Sequence, residues 1–161
     1  MTTAFADTYY YIALLSPNDS THARAIEVTA HLQPAMVTTA WVLSELAAAM
    51  SAPAKRQRFL KLFDDLRASA EVKIIPASPE LFEQGMSLYR ARPDKAWSLT
   101  DCISFIVMER EGLTEALTGD HHFEQAGFVA LLKERRRQAN WFRVNTGGGG
   151  GAILFPSRPR S

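Results

Sequence analysis

The sequence predicts an α/β fold, in which a short and mostly parallel β-sheet is flanked by α-helices as a three-layer sandwich. Two observations lead to this prediction. Short β-like runs alternate along the chain with helix-length segments, and such alternation is typical of strand–helix–strand units with parallel strands. The chain of 161 residues also has the length of one compact domain with an ordinary hydrophobic core.

The first part of the chain is predicted to form one strand and two helices. The run TTAFAD is β-like and ends in an acid, and TYYYIALLS has apolar character over a helix length, up to the turn SPND. The segment THARAIEVTAHL is predicted to form the next helix, with Asp19 or Ser20 as its N-cap. Its inward face is predicted to contain Ala23, Ile26 and Ala30.

The middle of the chain continues the alternation. PAMVTT is predicted to be the second strand, and Thr38 or Thr39 is placed to cap the helix AWVLSELAAAMS. Pro53 permits a new helix over AKRQRFLKLFDDLRAS, because proline is well tolerated in the first helical turn. EVKIIPAS is predicted to be the third strand, and Ser78 to cap the helix PELFEQGMSLYRAR with Pro79 as its first residue.

The last part of the domain is predicted to contain the most buried helix. SLTDCISFIVMERE is apolar almost all round until MERE, which favours a central helix that Gly112 ends. TEALTGD is predicted to be a fourth strand that ends in an acid, HHFEQA a short helical turn, and FVALL a fifth strand.

The charge is distributed unevenly along the chain. Residues 1–134 hold 12 Lys and Arg against 17 Asp and Glu, whereas residues 135–161 hold 6 Arg and no acid. We therefore predict one folded domain over 1–134 and a basic, Gly-rich tail without a fixed fold over 135–161. The acidic body argues against nonspecific nucleic-acid binding by the whole surface, although a local cation cluster or bound metal ions could still contact phosphates.

Cysteine content and the N-terminal sequence indicate a cytoplasmic protein. The single cysteine, Cys102, excludes an intramolecular disulfide and lies within the apolar run CISFIVM, so we expect it to be buried. The N-terminus has no basic region before its apolar run, and no segment approaches the length of a membrane span. We expect no membrane association.

Four acids are predicted to lie at one edge of the sheet. Asp7 follows the first strand, Asp120 follows the fourth, Glu45 lies in the helix after the second, and Asp101 lies in the first turn of the buried helix. In open α/β sheets, ligands bind beyond the carboxyl ends of the strands, where the strand order reverses. All four acids are therefore candidates for one functional site.

Each acid also has a purely structural interpretation. Asp7 and Asp120 are in positions that suit helix N-caps, and Asp101 suits a capping box with Ser98. Glu45 could be a solvated helix acid, but small and apolar residues surround it in VLSELAAAM. An ionised carboxylate in such surroundings is costly unless it is paired, hydrogen-bonded or bound to a metal.

A cluster of carboxylates predicts divalent metal ions. Like charges repel, so the cluster is tenable at neutral pH mainly with bound cations, and hard cations such as Mg²⁺ or Mn²⁺ prefer oxygen ligands. The sequence has no His and Cys spacing suited to zinc; His121 and His122 are adjacent, and we expect their side chains to point apart. Asp94 is interpreted as a turn residue. The hydroxyl residues beside the acids suit either metal-site orientation or local capping: Thr8, Ser44, Thr100 and Thr118.

The chain resembles the PIN domain, and specifically VapC-type ribonuclease toxins of prokaryotic toxin–antitoxin pairs. The resemblance rests on FADTYYYIALL, on SELA around Glu45, on DKAWSLTDCISFIVMERE and on EALTGDHHFEQAGFVALL. It covers roughly residues 3–133, and the last two stretches are the most specific because they match over long continuous runs. Residues 135–161 lie beyond it.

The resemblance implies a function and a set of partners. It implies that Asp7, Glu45, Asp101 and Asp120 form a Mg²⁺ or Mn²⁺ site that cleaves RNA, and that the protein is a homodimer with a cognate antitoxin encoded alongside. Two alternatives remain open from the residues alone. One is a noncatalytic PIN-like binding module; the other is a phosphatase with Asp7 as a covalent nucleophile, although FADTYY lacks a second acid two residues on.

Overall fold

The computed structural model describes residues 2–134, and the predicted tail at 135–161 lies outside the described residues. The strands are β1 (Thr3–Ala6), β2 (Ala35–Thr39), β3 (Val72–Ile75), β4 (Glu115–Leu117) and β5 (Val129–Ala130). The helices are α1 (Thr8–Leu15), α2 (His22–Leu32), α3 (Ala40–Ala49), α4 (Pro53–Ala68), α5 (Pro79–Ala91), α6 (Leu99–Arg110) and α7 (His121–Gln125).

All five strands run parallel, in the order β3-β2-β1-β4-β5. The chain moves outward from β1 to β2 and β3, then crosses back to β4 on the other side of β1. Phe5 of β1 is in register with Val37 of β2 on one side and with Ala116 of β4 on the other. The strand order therefore reverses between β1 and β4, and the crevice at their carboxyl ends is the switch point of the sheet.

The helices form two groups, one on each face of the sheet. Helix α1 packs on both α2 and α3, α3 packs on α4, and α6 packs on both α5 and α7. Right-handed crossovers in opposite directions along the sheet place the two groups on opposite faces. The predicted fold class, a parallel sheet between helical layers, is confirmed.

Helix α6 is the central buried helix that the sequence predicts. Its Phe105 ring packs edge-on against the rings of Trp97 and Phe123, with ring centroids 5.0 Å apart in each pair. Gly85 of α5 lets the two helices approach closely, because a Cβ at that position would lie 2.4 Å from Cγ1 of Ile103. Gly112 follows the helix with φ of 67°, a left-handed conformation that suits glycine.

The predicted helix ends are largely confirmed, with one correction. Thr39 and Ser78 cap α3 and α5 by accepting backbone N–H bonds, and Pro53 is the first residue of α4. Helix α2, however, begins at His22 with Thr21 as its N-cap, so the prediction of Asp19 or Ser20 is wrong. The reason is that the Asp19 carboxylate instead accepts the Thr21 N–H at 2.8 Å, in the turn before the helix.

The predicted inward face of α2 is also wrong. The buried residues are Ala25 and Val28, whereas the predicted ones are exposed: Ala23, Ile26 and Ala30. A polar contact fixes the true orientation, since the Thr29 hydroxyl lies 2.9 Å from the Tyr10 hydroxyl of α1. The prediction weighted apolar side chains and gave no weight to this threonine.

Two smaller expectations concern Cys102 and membranes. Cys102 is buried, as expected. Within residues 2–134, no helix combines the length and the apolar character that crossing a membrane requires.

Candidate active site

Asp7 lies at the switch point, directly after the central strand β1. Its side chain is only 6% exposed. It occupies the N-cap position of α1, yet its carboxylate makes no capping hydrogen bond. Its Oδ2 atom instead accepts a hydrogen bond from the Thr118 hydroxyl at 2.9 Å. Asp7 therefore occupies the N-cap position of α1, but its side chain does not cap the helix.

The surroundings of Asp7 disfavour a negative charge. The pKa of its carboxyl is about 7, against an ordinary value of 3.8. Burial is the largest cause of this increase, and the charges of Asp101 and Glu45 act in the same direction. The hydrogen bond from Thr118 acts in the opposite direction. A cation bound beside Asp7 would favour its ionised form.

Thr118 joins two of the candidate acids. Its side chain is fully buried, donates to Asp7, and accepts the backbone N–H of Asp120 at 3.0 Å. It thereby fixes both the Asp7 carboxylate and the start of the loop after β4. Of the hydroxyl residues singled out in the sequence, Thr118 is the one bonded to a candidate acid side chain.

Asp101 forms the predicted capping box and still has one oxygen without a partner. Its backbone N–H donates to Ser98 Oγ at 3.0 Å, and its Oδ2 accepts the Ser98 N–H at 2.9 Å. Its Oδ2 also lies 3.2 Å from Nδ1 of His122. The Oδ1 atom accepts no hydrogen bond from residues 2–134. Capping and metal binding are therefore compatible in this residue.

Asp120 is the N-cap of α7. Its Oδ1 accepts the His122 N–H at 2.9 Å, so the N-cap interpretation is confirmed for this acid. Its Oδ2 lies 3.4 Å from Nδ1 of His122, which also contacts Asp101. The His122 ring thus links Asp120 to Asp101, while Thr118 links Asp120 to Asp7.

The two adjacent histidines do not point apart, so that expectation is wrong. Their ring centroids lie 4.4 Å apart, and Nδ1 of His121 lies 3.4 Å from Oδ1 of Asp120. The short helix α7 turns both rings toward the carboxylate of its own N-cap. One ligand atom from each of Asp120, His121 and His122 falls within 4.8 Å of the others, an arrangement that adjacency in the sequence did not suggest.

Glu45 is more distant from this network than the sequence suggested. It lies near the middle of α3 and is exposed, so the argument that apolar surroundings make its charge costly is wrong. The small neighbours leave it open to solvent. Its charge raises the pKa of Asp7, but less than burial and less than the charge of Asp101 do.

The remaining candidates divide into two kinds. The Thr8 hydroxyl is buried beside Asp7 and has no hydrogen-bond partner within residues 2–134, so it is available to a ligand or to its water. Ser44 is exposed, and the Thr100 carbonyl accepts from Ser104 in an ordinary helical contact. Asp94 lies in a turn, as interpreted from the sequence.

The donor atoms near one another are of two kinds. Asp120, His121 and His122 each offer one ligand atom within 4.8 Å of the others, and His122 also contacts Asp101. The second oxygen of Asp101 and the buried Thr8 hydroxyl have no partner within residues 2–134. Carboxylate oxygens are the ligands that Mg²⁺ or Mn²⁺ prefers. His122 already contacts two of the acids, which suits orientation of the carboxylates.

Comparison with known proteins points to one family. The model of the PIN domain matches residues 4–129. The chain is 27% identical over 130 residues to the 23S rRNA-specific endonuclease VapC20 of Mycobacterium tuberculosis, which covers 81% of this chain and 98% of that protein.

Solved structures agree with this match. The crystal structure of Mycobacterium tuberculosis VapC20, described as a Sarcin-Ricin loop cleaving toxin, superposes with a TM-score of 0.71 at 26% identity, covering 78% of this chain and 96% of that one. VapBC2 from Rickettsia felis, bound to a promoter DNA fragment, gives 0.57 at 14% identity over 80% and 97% of the two chains. FitAcB from Neisseria gonorrhoeae gives 0.54 at 18% identity over 79% and 94%. The last two likenesses concern the fold alone. The resemblance inferred from the sequence is confirmed: this chain belongs to the PIN domain family.

Proposed function

We propose that this chain is a metal-dependent endoribonuclease and acts as the toxin of a toxin–antitoxin pair. The observation that carries the proposal is the buried Asp7 carboxyl at the switch point, whose pKa is raised by burial and by the neighbouring charges of Asp101 and Glu45. Membership in the PIN family and similarity to an rRNA endonuclease support the same function. The name of that relative supports ribosomal RNA as the first substrate class to test.

In this proposal, Asp7, Glu45, Asp101 and Asp120 would hold Mg²⁺ or Mn²⁺. When bound there, the ion would supply Lewis-acid chemistry, which would activate a water molecule at neutral pH and offset negative charge on the scissile phosphate. The protein keeps the carboxylates in place beforehand: Thr118 orients Asp7, and the capping box orients Asp101. Such preorganisation reduces the rearrangement needed when substrate binds.

The test is cleavage of RNA by the full chain. Purified protein is incubated with total RNA with and without Mg²⁺ or Mn²⁺, and the new ends are mapped. We expect discrete ends only with the cation, and their loss in Asp7→Asn and in Asp101→Asn. Asp65→Asn is the matched control, because Asp65 is an exposed acid paired with Lys61 on α4. A folded protein that leaves all RNA intact under these conditions would favour the noncatalytic binding module.

Two protein partners belong to the proposal. We propose that the chain forms a homodimer in the cytoplasm, and that a cognate antitoxin inserts an Arg or Lys into the acidic site. A guanidinium pairs bidentately with carboxylates and would compete with the metal ion for Asp7 and Asp101. One structural neighbour is VapBC2 from Rickettsia felis bound to a promoter DNA fragment, and this likeness supports an antitoxin partner. An antitoxin complex that cleaves RNA as fast as the free protein would argue against this part.

A further inference from the structure

A groove with cationic and aromatic residues lies between the end of α5 and the loop that leads to α6. It has a volume of about 390 Å³ and contains no acidic residue in its lining. The lining residues are Met86, Tyr89, Arg90, Arg92, Pro93 and Lys95. The Tyr89 ring is 51% exposed. This combination is unusual in a domain whose described body is acidic.

Core contacts hold one wall of this groove in place. The Arg92 guanidinium lies over the Trp97 ring at 5.1 Å from the ring centroid, and its nitrogens bind both carboxylate oxygens of Asp94 at 2.9 Å. Trp97 is itself buried and donates from its indole N–H to Gln125 at 3.0 Å. The loop is therefore anchored to the core rather than free to rearrange.

The groove keeps a positive charge after these contacts. Asp94 forms an ion pair with Arg92 of the groove. The Lys95 ammonium group lies farther from this acid, 4.0 Å from Asp94 Oδ2. Arg90 forms no ion pair with any acid among residues 2–134. One acid thus lies beside three cationic residues, so a net positive charge remains that can attract a polyanion.

The groove adjoins the acidic site. Helices α5 and α6 pack antiparallel, because Arg110 at the end of α6 pairs with Glu80 at the start of α5 at 2.9 Å. The end of α5 therefore lies beside the start of α6, where Ser98 caps the turn that contains Asp101. Lys95 of the groove lies three residues before Ser98 in the chain, so the groove ends near the turn that contains Asp101.

We propose that this groove binds the backbone of single-stranded RNA, with Arg90 and Lys95 contacting phosphates and Tyr89 stacking on a base. The proposal rests on the ribonuclease function proposed above and names the surface that holds the substrate. A carboxylate site repels phosphates, so an enzyme of this kind needs cations placed beside the site rather than within it. An exposed aromatic ring next to cations is a common element of single-strand binding surfaces.

The experiment measures binding without cleavage. Fluorescence anisotropy with a labelled single-stranded RNA oligonucleotide is recorded in EDTA over a series of salt concentrations, with the full chain and its variants. The test variant is Arg90→Gln/Lys95→Gln. The charge-matched control is Lys55→Gln/Lys61→Gln, which removes two exposed cations of α4 outside the groove.

Two changes are expected. Each phosphate contact contributes a slope of about −0.7 to the dependence of log K on log salt, so the test variant should lose about 1.4 in slope relative to its control. Between about 50 and 200 mM salt its affinity should then fall about sevenfold less than that of the control. Tyr89→Leu should weaken binding about fivefold or more with an unchanged salt slope.

The outcomes separate this proposal from the proposed function. If the native chain cleaves RNA with Mg²⁺ but the groove variant has the slope and affinity of its control, the groove proposal is overturned and the enzyme proposal stands. If the groove variant alone loses slope but no RNA is cleaved with any cation, the groove proposal stands and the enzyme proposal fails. A native chain without measurable RNA binding overturns the groove proposal. A melting temperature for each variant confirms that it is folded.

Discussion

The charge on Asp7 opposes folding in the metal-free protein, and its removal should make the protein more stable above neutral pH. The pKa of this carboxyl is about 7 in the folded chain against an ordinary value of 3.8. Between these two values the folded state binds more protons than the unfolded state, so stability is greatest below 3.8 and falls as the pH rises through 7. Asp7→Asn keeps a hydrogen-bond acceptor for Thr118 and removes the titration.

The magnitude follows from the pKa difference. Each unit corresponds to about 1.4 kcal/mol, so this group alone should lower the free energy of unfolding by about 3 kcal/mol between about pH 5 and pH 8.5. The asparagine variant should lack this part of the decrease. The other titratable groups are present in both proteins, so the difference between the two curves isolates Asp7.

The assay is denaturant unfolding in EDTA at both pH values, followed by the same measurement with Mg²⁺. Near pH 8.5 the native chain should be less stable than Asp7→Asn without the cation and should gain stability with it, because a ligand that binds only the folded state stabilises it by mass action. The stability of Asp7→Asn should change little when Mg²⁺ is added. Parallel pH curves for the two proteins, or a variant less stable than the native chain near pH 8.5, would refute the electrostatic account of the site.

Three further predictions concern packing, the tail and assembly. Gly85→Ala should lower the free energy of unfolding by about 1–3 kcal/mol in denaturant melts, because its Cβ would meet the buried Ile103 at 2.4 Å; Ser87→Ala on the exposed side of α5 is the control. Truncation after Glu134 should preserve the melting temperature and metal-dependent cleavage and reduce RNA affinity only modestly at low salt; loss of folding would contradict the predicted passive tail. Sedimentation at micromolar concentration should give a dimer, and a monomer would count against the homodimer.

Local sequence signals predicted the fold because the chain follows them consistently. Thr39 and Ser78 cap the helices that their neighbours form, and Gly112 ends α6 in a left-handed conformation. The predicted inward face of α2 failed where a tertiary contact is involved, since the Thr29 hydroxyl at Tyr10 orients the helix. A hydroxyl pair between two helices has no periodic signature in the sequence.

The candidate site was predictable in position but not in detail. Strand ends place Asp7 and Asp120 at one edge of a parallel sheet, whatever the side-chain contacts. The role of His122 was missed because it depends on the turn of α7, which brings one imidazole nitrogen within 3.4 Å of both Asp101 and Asp120. The exposure of Glu45 was not predicted because its small and apolar sequence neighbours were interpreted as a sign of a buried position.

The double role that we propose for Asp101, in helix capping and in metal binding, would explain why a carboxylate starts the most buried helix. Its Oδ2 closes the capping box, and its Oδ1 has no partner within residues 2–134. Asparagine at this position would keep an acceptor for the Ser98 N–H but lose the charge, so helix capping and metal affinity are separable in the same side chain. A glutamate one methylene longer is also common in capping boxes, but its carboxylate would extend farther from the helix start. A short acid at this position therefore satisfies the helix and leaves its second oxygen without a partner among residues 2–134, which capping alone does not require.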